Sequence, residues 1–146
     1  MPDPIRQQIR TALLAHGTAL ATALPLRSVE LGRDPLVARK PMPNLTLFES
    51  DEVEIGKDNR GRTYQFIVTF KFAFEKARNA EMEKDRLVSA LEVRIENDLQ
   101  LGGLANIVDG EDVEFLSGTT TDPIQVVLVS YRVEYRRVRG DPTTKY

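Results

Sequence analysis

Apolar positions along this chain switch between two periods. From Asp3 to Leu24 they recur at spacings of four and seven, through Ile5, Ile9, Leu13, Leu20 and Leu24, which places one apolar stripe on a helix. Asp3 suits the cap of the first turn, and Pro4 suits the first helical position, where its missing N–H costs nothing. Gly17 weakens the middle of this helix, and Pro25 ends it. Ser28 to Arg33 then alternates, with Val29 and Leu31 on one side, and predicts a short strand. Asp34-Pro35 turns the chain into a stretch to Asn44 whose Pro41 and Pro43 predict an ordered loop. A second strand runs from Leu45 to about Phe48 and resumes at Val53 and Ile55, ahead of a turn built on Asp58, Asn59 and Gly61.

The longest alternation runs from Arg62 to Glu75. Tyr64, Phe66, Val68, Phe70, Phe72 and Phe74 share one face of that strand, and mostly polar residues share the other. An aromatic core stripe explains this better than a partner groove. A second helix is predicted from Asn79, a good N-cap, to about Gln100, with Leu87, Leu91, Ile95 and Leu99 along one face. Gly102 and Gly103 supply its left-handed exit. Val113 and Phe115 mark another strand, and Ile124 to Arg139 alternates again through Val127, Val129, Tyr131, Val133 and Tyr135. The polar end, residues 140–146, is expected to be an extended tail. These elements predict a single α+β domain over residues 1–146, with a mixed or antiparallel sheet of about four to five strands and two helices packed on one face.

Composition removes several classes of chemistry. The 146-residue chain has no cysteine, so disulfides, thiolate metal sites and thiol nucleophiles are excluded, and His16 is the only imidazole. A domain of this length buries enough surface to fold without a staple. A net charge of −2 argues against a phosphate-backbone binder. Met1 to Arg10 lacks the apolar core of a secretory signal, and no apolar run is long enough to span a bilayer. The chain therefore reads as soluble and intracellular when it folds.

No phosphate loop, dinucleotide glycine pattern, nucleophile elbow or zinc helix occurs, so no catalytic residue, metal ligand or cofactor site is assigned. Asp109, Glu111, Asp112 and Glu114 surround Gly110 but lack calcium-loop spacing, and a solvated charged hairpin is the simpler reading. What stands out is segregated charge. Glu49, Asp51, Glu52 and Glu54 form an acidic run, answered by Lys57, Arg60 and Arg62 across the turn. Arg33, Arg39 and Lys40 crowd the early loop, and Arg132, Arg136, Arg137 and Arg139 crowd the last strand. On charge pattern alone, plain surface solvation accounts for these residues. Opposed patches of this kind also suit a head-to-tail contact between copies, which joins two different surfaces. Arg33, Arg39, Lys40, Glu49, Asp51, Glu52, Glu54, Lys57, Arg60, Arg62, Glu111, Asp112, Arg136, Arg137 and Arg139 are accordingly the candidate subunit or partner interface.

Three stretches resemble the tail terminator family of long-tailed phages. The helix opening Ile5-Arg6-Gln7-Gln8-Ile9 leads through Ala23-Leu24-Pro25 into a short strand. Pro43-Asn44-Leu45-Thr46-Leu47 precedes an acid-rich segment and the long strand Tyr64 to Phe74. The helix Asp85 to Leu99 exits through Leu101-Gly102-Gly103-Leu104 towards a strand and then the long strand ending Tyr131-Arg132-Val133-Glu134-Tyr135-Arg136. The resemblance covers nearly the whole chain but rests on pattern, since the family has no catalytic signature.

The resemblance implies a hexameric ring that caps the head-proximal end of the tail tube, halts its polymerisation and joins it to the neck. The implied partners are other copies of the chain, the tail tube protein, the neck or stopper protein and the terminus of the tape-measure protein. DNA would pass through the lumen without sequence-specific contacts, and no membrane and no cofactor are implied. The implied location is the tail of a virion or phage-like particle, such as a gene transfer agent, assembled in the host cytoplasm. The alternatives are a neck or head-completion protein of the same particle and, from other classes, a small metal-dependent enzyme or a ligand-binding module.

Overall fold

A computed structural model gives the fold, and the structure describes residues 4–24, 26, 28–32, 43–75, 80–117, 124–138 and 140–144. In chain order these form α1 (Ile5–Ala23), β1 (Ser28–Leu31), β2 (Asn44–Glu49), β3 (Val53–Lys57), β4 (Gly61–Glu75), α2 (Ala80–Glu96), a 3-10 turn (Leu101–Gly103), β5 (Ile107–Ser117) and β6 (Ile124–Val138). The six strands make one sheet in the order β1-β2-β4-β6-β5, with β3 paired to the part of β4 that lies beyond β2. β1 runs parallel to β2, and every other pairing is antiparallel. The fold is therefore α+β with a mixed sheet, as the periodicity predicts.

The core lies between one face of the sheet and the two helices. β4 and β6 pair along their whole length, from Gly61 opposite Val138 to Glu75 opposite Ile124. That register puts the aromatic stripe of β4 beside Val127, Val129, Tyr131, Val133 and Tyr135 of β6, and all of these are buried. Each fully buried Phe or Val contributes about 1.5–3 kcal/mol relative to exposure, so this double row is the main support of the fold. Ile5, Ile9, Leu13 and Leu20 cover it from α1, and Leu87, Leu91 and Ile95 from α2.

Gly17 is set against the sheet. A Cβ there would meet Leu45 Cδ2 at 3.1 Å and Val29 Cγ1 at 3.2 Å, so its small size lets α1 approach β1 and β2 closely. Close packing thus offsets the helix-weakening effect of glycine.

Three expectations need correction. α2 ends at Glu96 rather than near Gln100, and Leu99 is 42% exposed instead of continuing the buried stripe. The chain leaves the helix through Leu101, Gly102 and Gly103, all with positive φ, while the Asp98 carboxylate accepts the Gly102 N–H at 2.9 Å. β5 begins at Ile107, well before Val113, so the acidic residues read as a hairpin lie inside an edge strand. An edge strand tolerates them because their side chains reach solvent, and a register shift between Gly110 and Asp112 absorbs Glu111.

The third correction concerns the C-terminal tail. Residues 140–144 turn back on themselves instead of extending. Asp141 accepts hydrogen bonds from the Thr143 N–H, the Thr143 hydroxyl and the Thr144 hydroxyl, at 2.9, 2.6 and 2.6 Å. The turn delivers the Pro142 carbonyl to the Ile5 N–H at 2.8 Å and so satisfies one of the orphan donors opening α1.

Candidate functional site

Charged side chains gather where the N-terminal turns of α1 pass the far end of β2. Arg6 and Arg10 lie on successive turns of one helix face, and both reach Glu49, the last residue of β2. Glu49 sits opposite Val68 on the helix-covered side of the sheet, which explains why its side chain is only 11% exposed. Arg10 donates to it through two nitrogens, and this bond holds the Arg10 pKa above its ordinary value. Arg6 reaches Glu49 at 3.6 Å, donates to Glu52 at 3.2 Å and to the Ser50 carbonyl at 2.6 Å, and stacks 4.2 Å over the Phe66 ring.

Glu52 also accepts a hydrogen bond from the Tyr135 hydroxyl. Burial, followed by the Glu52 contact, pushes the Tyr135 pKa up, so the phenol stays protonated. Tyr135 stacks on Tyr64 with ring centres 5.6 Å apart. The Tyr64 hydroxyl in turn accepts from Arg137 at 2.7 Å, and that guanidinium lies 4.6 Å over the Tyr64 ring. The result is a continuous seam of charge and aromatic rings from α1 to the end of β6.

The β3–β4 turn is organised by Asp58. Its carboxylate accepts the backbone N–H groups of Arg60 and Gly61, both at 2.8 Å, and a bond from Arg136 at 2.6 Å. Those two backbone donors, then Arg136, hold the Asp58 pKa below the usual carboxylate range. Arg62 and Glu54 face each other loosely at 3.8 Å across the hairpin.

The two ends of the sheet differ. At one end β5 pairs only with β6 among the described residues, leaving one edge of an eleven-residue strand unpaired. Asp109, Glu111, Asp112 and Glu114 are exposed there, with Arg132 at 3.1 Å from Asp109 and 3.8 Å from Glu111. Between β5 and α2 runs a groove of about 510 Å³, floored by Ile95, Val108 and Val129 and rimmed by Glu92, Glu96 and Glu111. The buried Tyr131 hydroxyl lines this groove without a hydrogen-bond partner, and burial together with Glu92 and Glu96 pushes its pKa up.

At the other end, the four-residue β1 pairs only with β2 among the described residues. A groove of about 430 Å³ there is lined by Arg10, Leu31, Gly32 and Glu49. A Cβ on Gly32 would fall 2.5 Å from Thr46 Cγ2 and 2.8 Å from Phe48 Cε1, so no side chain fits where the chain leaves this edge.

One apolar row crosses all five strands of the path. Leu31 is opposite Leu47, Leu47 opposite Phe70, Phe70 opposite Val129, and Val129 opposite Val113. The middle three are at most 1% exposed, whereas Leu31 and Val113 at the two ends are each 47% exposed.

The candidate interface residues thus fall into separate groups. Glu49 and Glu52 are committed to α1 and Tyr135, while Asp51 lines the groove beside β1. Glu54, Lys57, Arg60 and Arg62 belong to the β3–β4 hairpin, where Arg136 joins them through Asp58. Arg137 closes the aromatic seam, and Glu111 and Asp112 mark the β5 edge. Arg33, Arg39, Lys40 and Arg139 lie outside the described residues. Sequence reasoning does not find Arg6, Arg10 and Tyr135 as partners of the acidic run, nor Tyr64 as the partner of Arg137, nor the apolar row. The spacing of Arg6 and Arg10 by one helical turn is the only local signal of the first pairing.

Among the described residues no group of three or more His, Asp or Glu side chains is placed to hold a metal ion. No helix among them is long and apolar enough to cross a membrane. Compared with known proteins, the chain matches no family model and no curated protein.

Proposed function

We propose that the protein is a structural ring subunit, the tail terminator of a phage tail or phage-like particle. Six copies close on the head-proximal end of the tail tube, stop its growth and offer the neck protein a surface. The observation that carries this reading is a sheet that, among the described residues, has two unlike ends, one long and acidic, one short. Unlike ends favour contacts between different patches, and such contacts close into rings when the rotation permits. The resemblance of the Ile5–Ile9, Pro43–Leu47 and Leu101–Leu104 stretches to tail terminators adds the ring size and the site of action. In this reading the grooves and charged hairpin are docking surfaces, and the protein works without a cofactor.

The test is negative-stain microscopy of the purified protein mixed with tubes of the tail tube protein. Six-fold rings seated on one end of tubes that stop lengthening are expected. Tubes that keep growing with bare ends, at every salt concentration, contradict the proposal.

A further inference from the structure

Tyr131 brings to the groove between β5 and α2 a polar group that the fold does not use. The residue is 5% exposed, and its buried hydroxyl has no hydrogen-bond partner. A buried tyrosine hydroxyl normally finds a partner, in a neighbouring side chain or in a bound molecule. The facing strand leaves room for the second. Gly110 stands opposite Tyr131 in the β5–β6 ladder, and a Cβ on Gly110 would meet nothing within 4 Å. The missing side chain keeps the groove open beside the phenol.

The lining sets the sign of the charge that fits. Glu92 and Glu96 stand on the α2 wall, and Asp109, Glu111 and Asp112 on the β5 wall, with no basic residue among the described lining. Arg132 reaches Asp109 and Glu111 at 3.1 and 3.8 Å. Among the described residues neither Glu92 nor Glu96 forms an ion pair, and the two lie one helical turn apart, a spacing at which like charges repel. Burial, with these two carboxylates, keeps the Tyr131 phenol protonated and its oxygen neutral. An ammonium group has three donors and no acceptor. One N–H suits the phenol oxygen, and the other two suit Glu92 and Glu96. A metal ion fits less well, because no group of three described carboxylates is placed to hold one.

The floor asks for carbon as well as charge. Ile95, Val108 and Val129 are buried beneath the groove, and Leu99 and Val113 line it while 42% and 47% exposed. A hydrated inorganic cation leaves these side chains uncovered, whereas a methylene chain covers them. The volume of about 510 Å³ lies in the range of small-molecule sites. Carboxylates on both walls match a short chain that is charged at each end.

We infer that this groove binds a linear alkyl diammonium ion. One end is held by Glu92, Glu96 and the Tyr131 hydroxyl, the other by the β5 carboxylates, with the methylenes over Val108 and Val129. The inference goes beyond the ring reading and does not depend on it, since a single copy of the chain carries all of these residues.

The probe is 1,4-diaminobutane, titrated into the full chain at constant ionic strength and followed by calorimetry and by amide resonances. One-to-one binding that saturates at or below about 1 mM is expected, with the Gly110 and Val113 amides shifting together. The double variant Glu92→Gln, Glu96→Gln should bind at least about ten-fold more weakly, through loss of charged hydrogen-bond partners. Gly110→Leu should do the same by filling the groove. Tyr131→Phe removes only the oxygen and should weaken binding about five-fold or more. Without the diamine that variant should unfold no earlier than the parent, because its hydroxyl has no partner to lose. Glu114→Gln, on the same strand but outside the lining, should leave the affinity within about two-fold.

Shifts that never saturate, or that magnesium chloride reproduces at equal ionic strength, mean charge screening and overturn the inference. Unchanged affinity in Tyr131→Phe and in the double glutamine variant also overturns it, whether or not Gly110→Leu folds. A lysine peptide with blocked ends that binds the same amides more tightly than the diamine overturns the free ligand in favour of a protein partner. Diamine binding by a chain that forms no rings supports the site and removes the ring reading alone. Rings from a chain that ignores the diamine do the reverse.

Discussion

Arg10 places two guanidinium nitrogens on a single carboxylate oxygen of Glu49, at 3.0 and 2.7 Å, and so ties the first helix to the end of β2. Arg6, one turn earlier, leans on the same oxygen at 3.6 Å. The acid is thus shared by two cations and only 11% exposed, while the Arg10 side chain is 40% exposed. This asymmetry fixes what substitution should do.

Glu49→Gln is expected to cost about 1–3 kcal/mol in urea unfolding, because it strips the charge partner from two guanidinium groups held beside the core. Arg10→Ala should cost less, about 0.5–1 kcal/mol, since solvent screens the exposed end of the pair. A double-mutant cycle should return a coupling that shrinks in high salt. A larger loss from Arg10→Ala than from Glu49→Gln would contradict this arrangement.

Asp98 joins two elements that His16 alone does not. One of its oxygens lies 2.8 Å from His16 Nε2 on α1, and the other accepts the Gly102 N–H at 2.9 Å. Asp98→Ala should therefore destabilise by about 1–2 kcal/mol, and His16→Ala by roughly half as much, because only the first leaves the backbone turn without its acceptor. Thermal unfolding of both variants in the same buffer checks the order.

Gly17 tests the packing of α1 on the sheet. Enlarging it to Val drives methyl groups into Leu45 and Val29, already 3.1 and 3.2 Å from where a first Cβ would sit. A loss of about 1–3 kcal/mol is expected from overpacking, despite the better helix propensity of Val. Phe70→Ala, at the centre of the cross-sheet row, should cost about 3–5 kcal/mol by opening a cavity. A gain in stability from Gly17→Val would show that the helix stands off the strands.

The parts of this fold that are legible in the sequence are those where one face stays buried over many residues. The alternation from Tyr64 to Phe74 announces β4, and the four-residue step through Leu87, Leu91 and Ile95 announces α2. Leu99 continues that step in the sequence, yet the chain has already turned out of the helix by then. The start of β5 is hidden because an edge strand with solvated carboxylates has the composition of a loop. The tail is misread because its structure depends on Asp141 bonding to Thr143 and Thr144 and on Pro142 meeting Ile5 across the whole chain.

The charged seam is harder still to see. Arg6 and Glu52 are 46 residues apart, and Tyr135 and Glu52 are 83 apart, so only tertiary register brings them together. The Leu31 to Val113 row requires the pairing of all five strands before it exists as a feature.

The C-terminal turn carries a pH dependence of definite sign. Three hydrogen bonds hold the Asp141 carboxyl at about 2, below its ordinary value of 3.8. Its support of the turn is therefore fully present above its ordinary value and is lost as pH falls through the folded value. The Thr143 amide resonance should shift with a midpoint near the folded value, and exchange protection at the Ile5 amide should fall with it. Asp141→Asn should abolish that titration. An Asp141-dependent midpoint at the ordinary carboxylate value would contradict the turn.

The central claim is that this chain works as a subunit of a closed ring. Native mass spectrometry of the purified protein at low salt tests it most directly. Six copies of a 16.5 kDa chain predict one discrete species at about 99 kDa, without an open ladder of sizes. A strictly monomeric spectrum, unchanged by concentration or salt, would contradict the account.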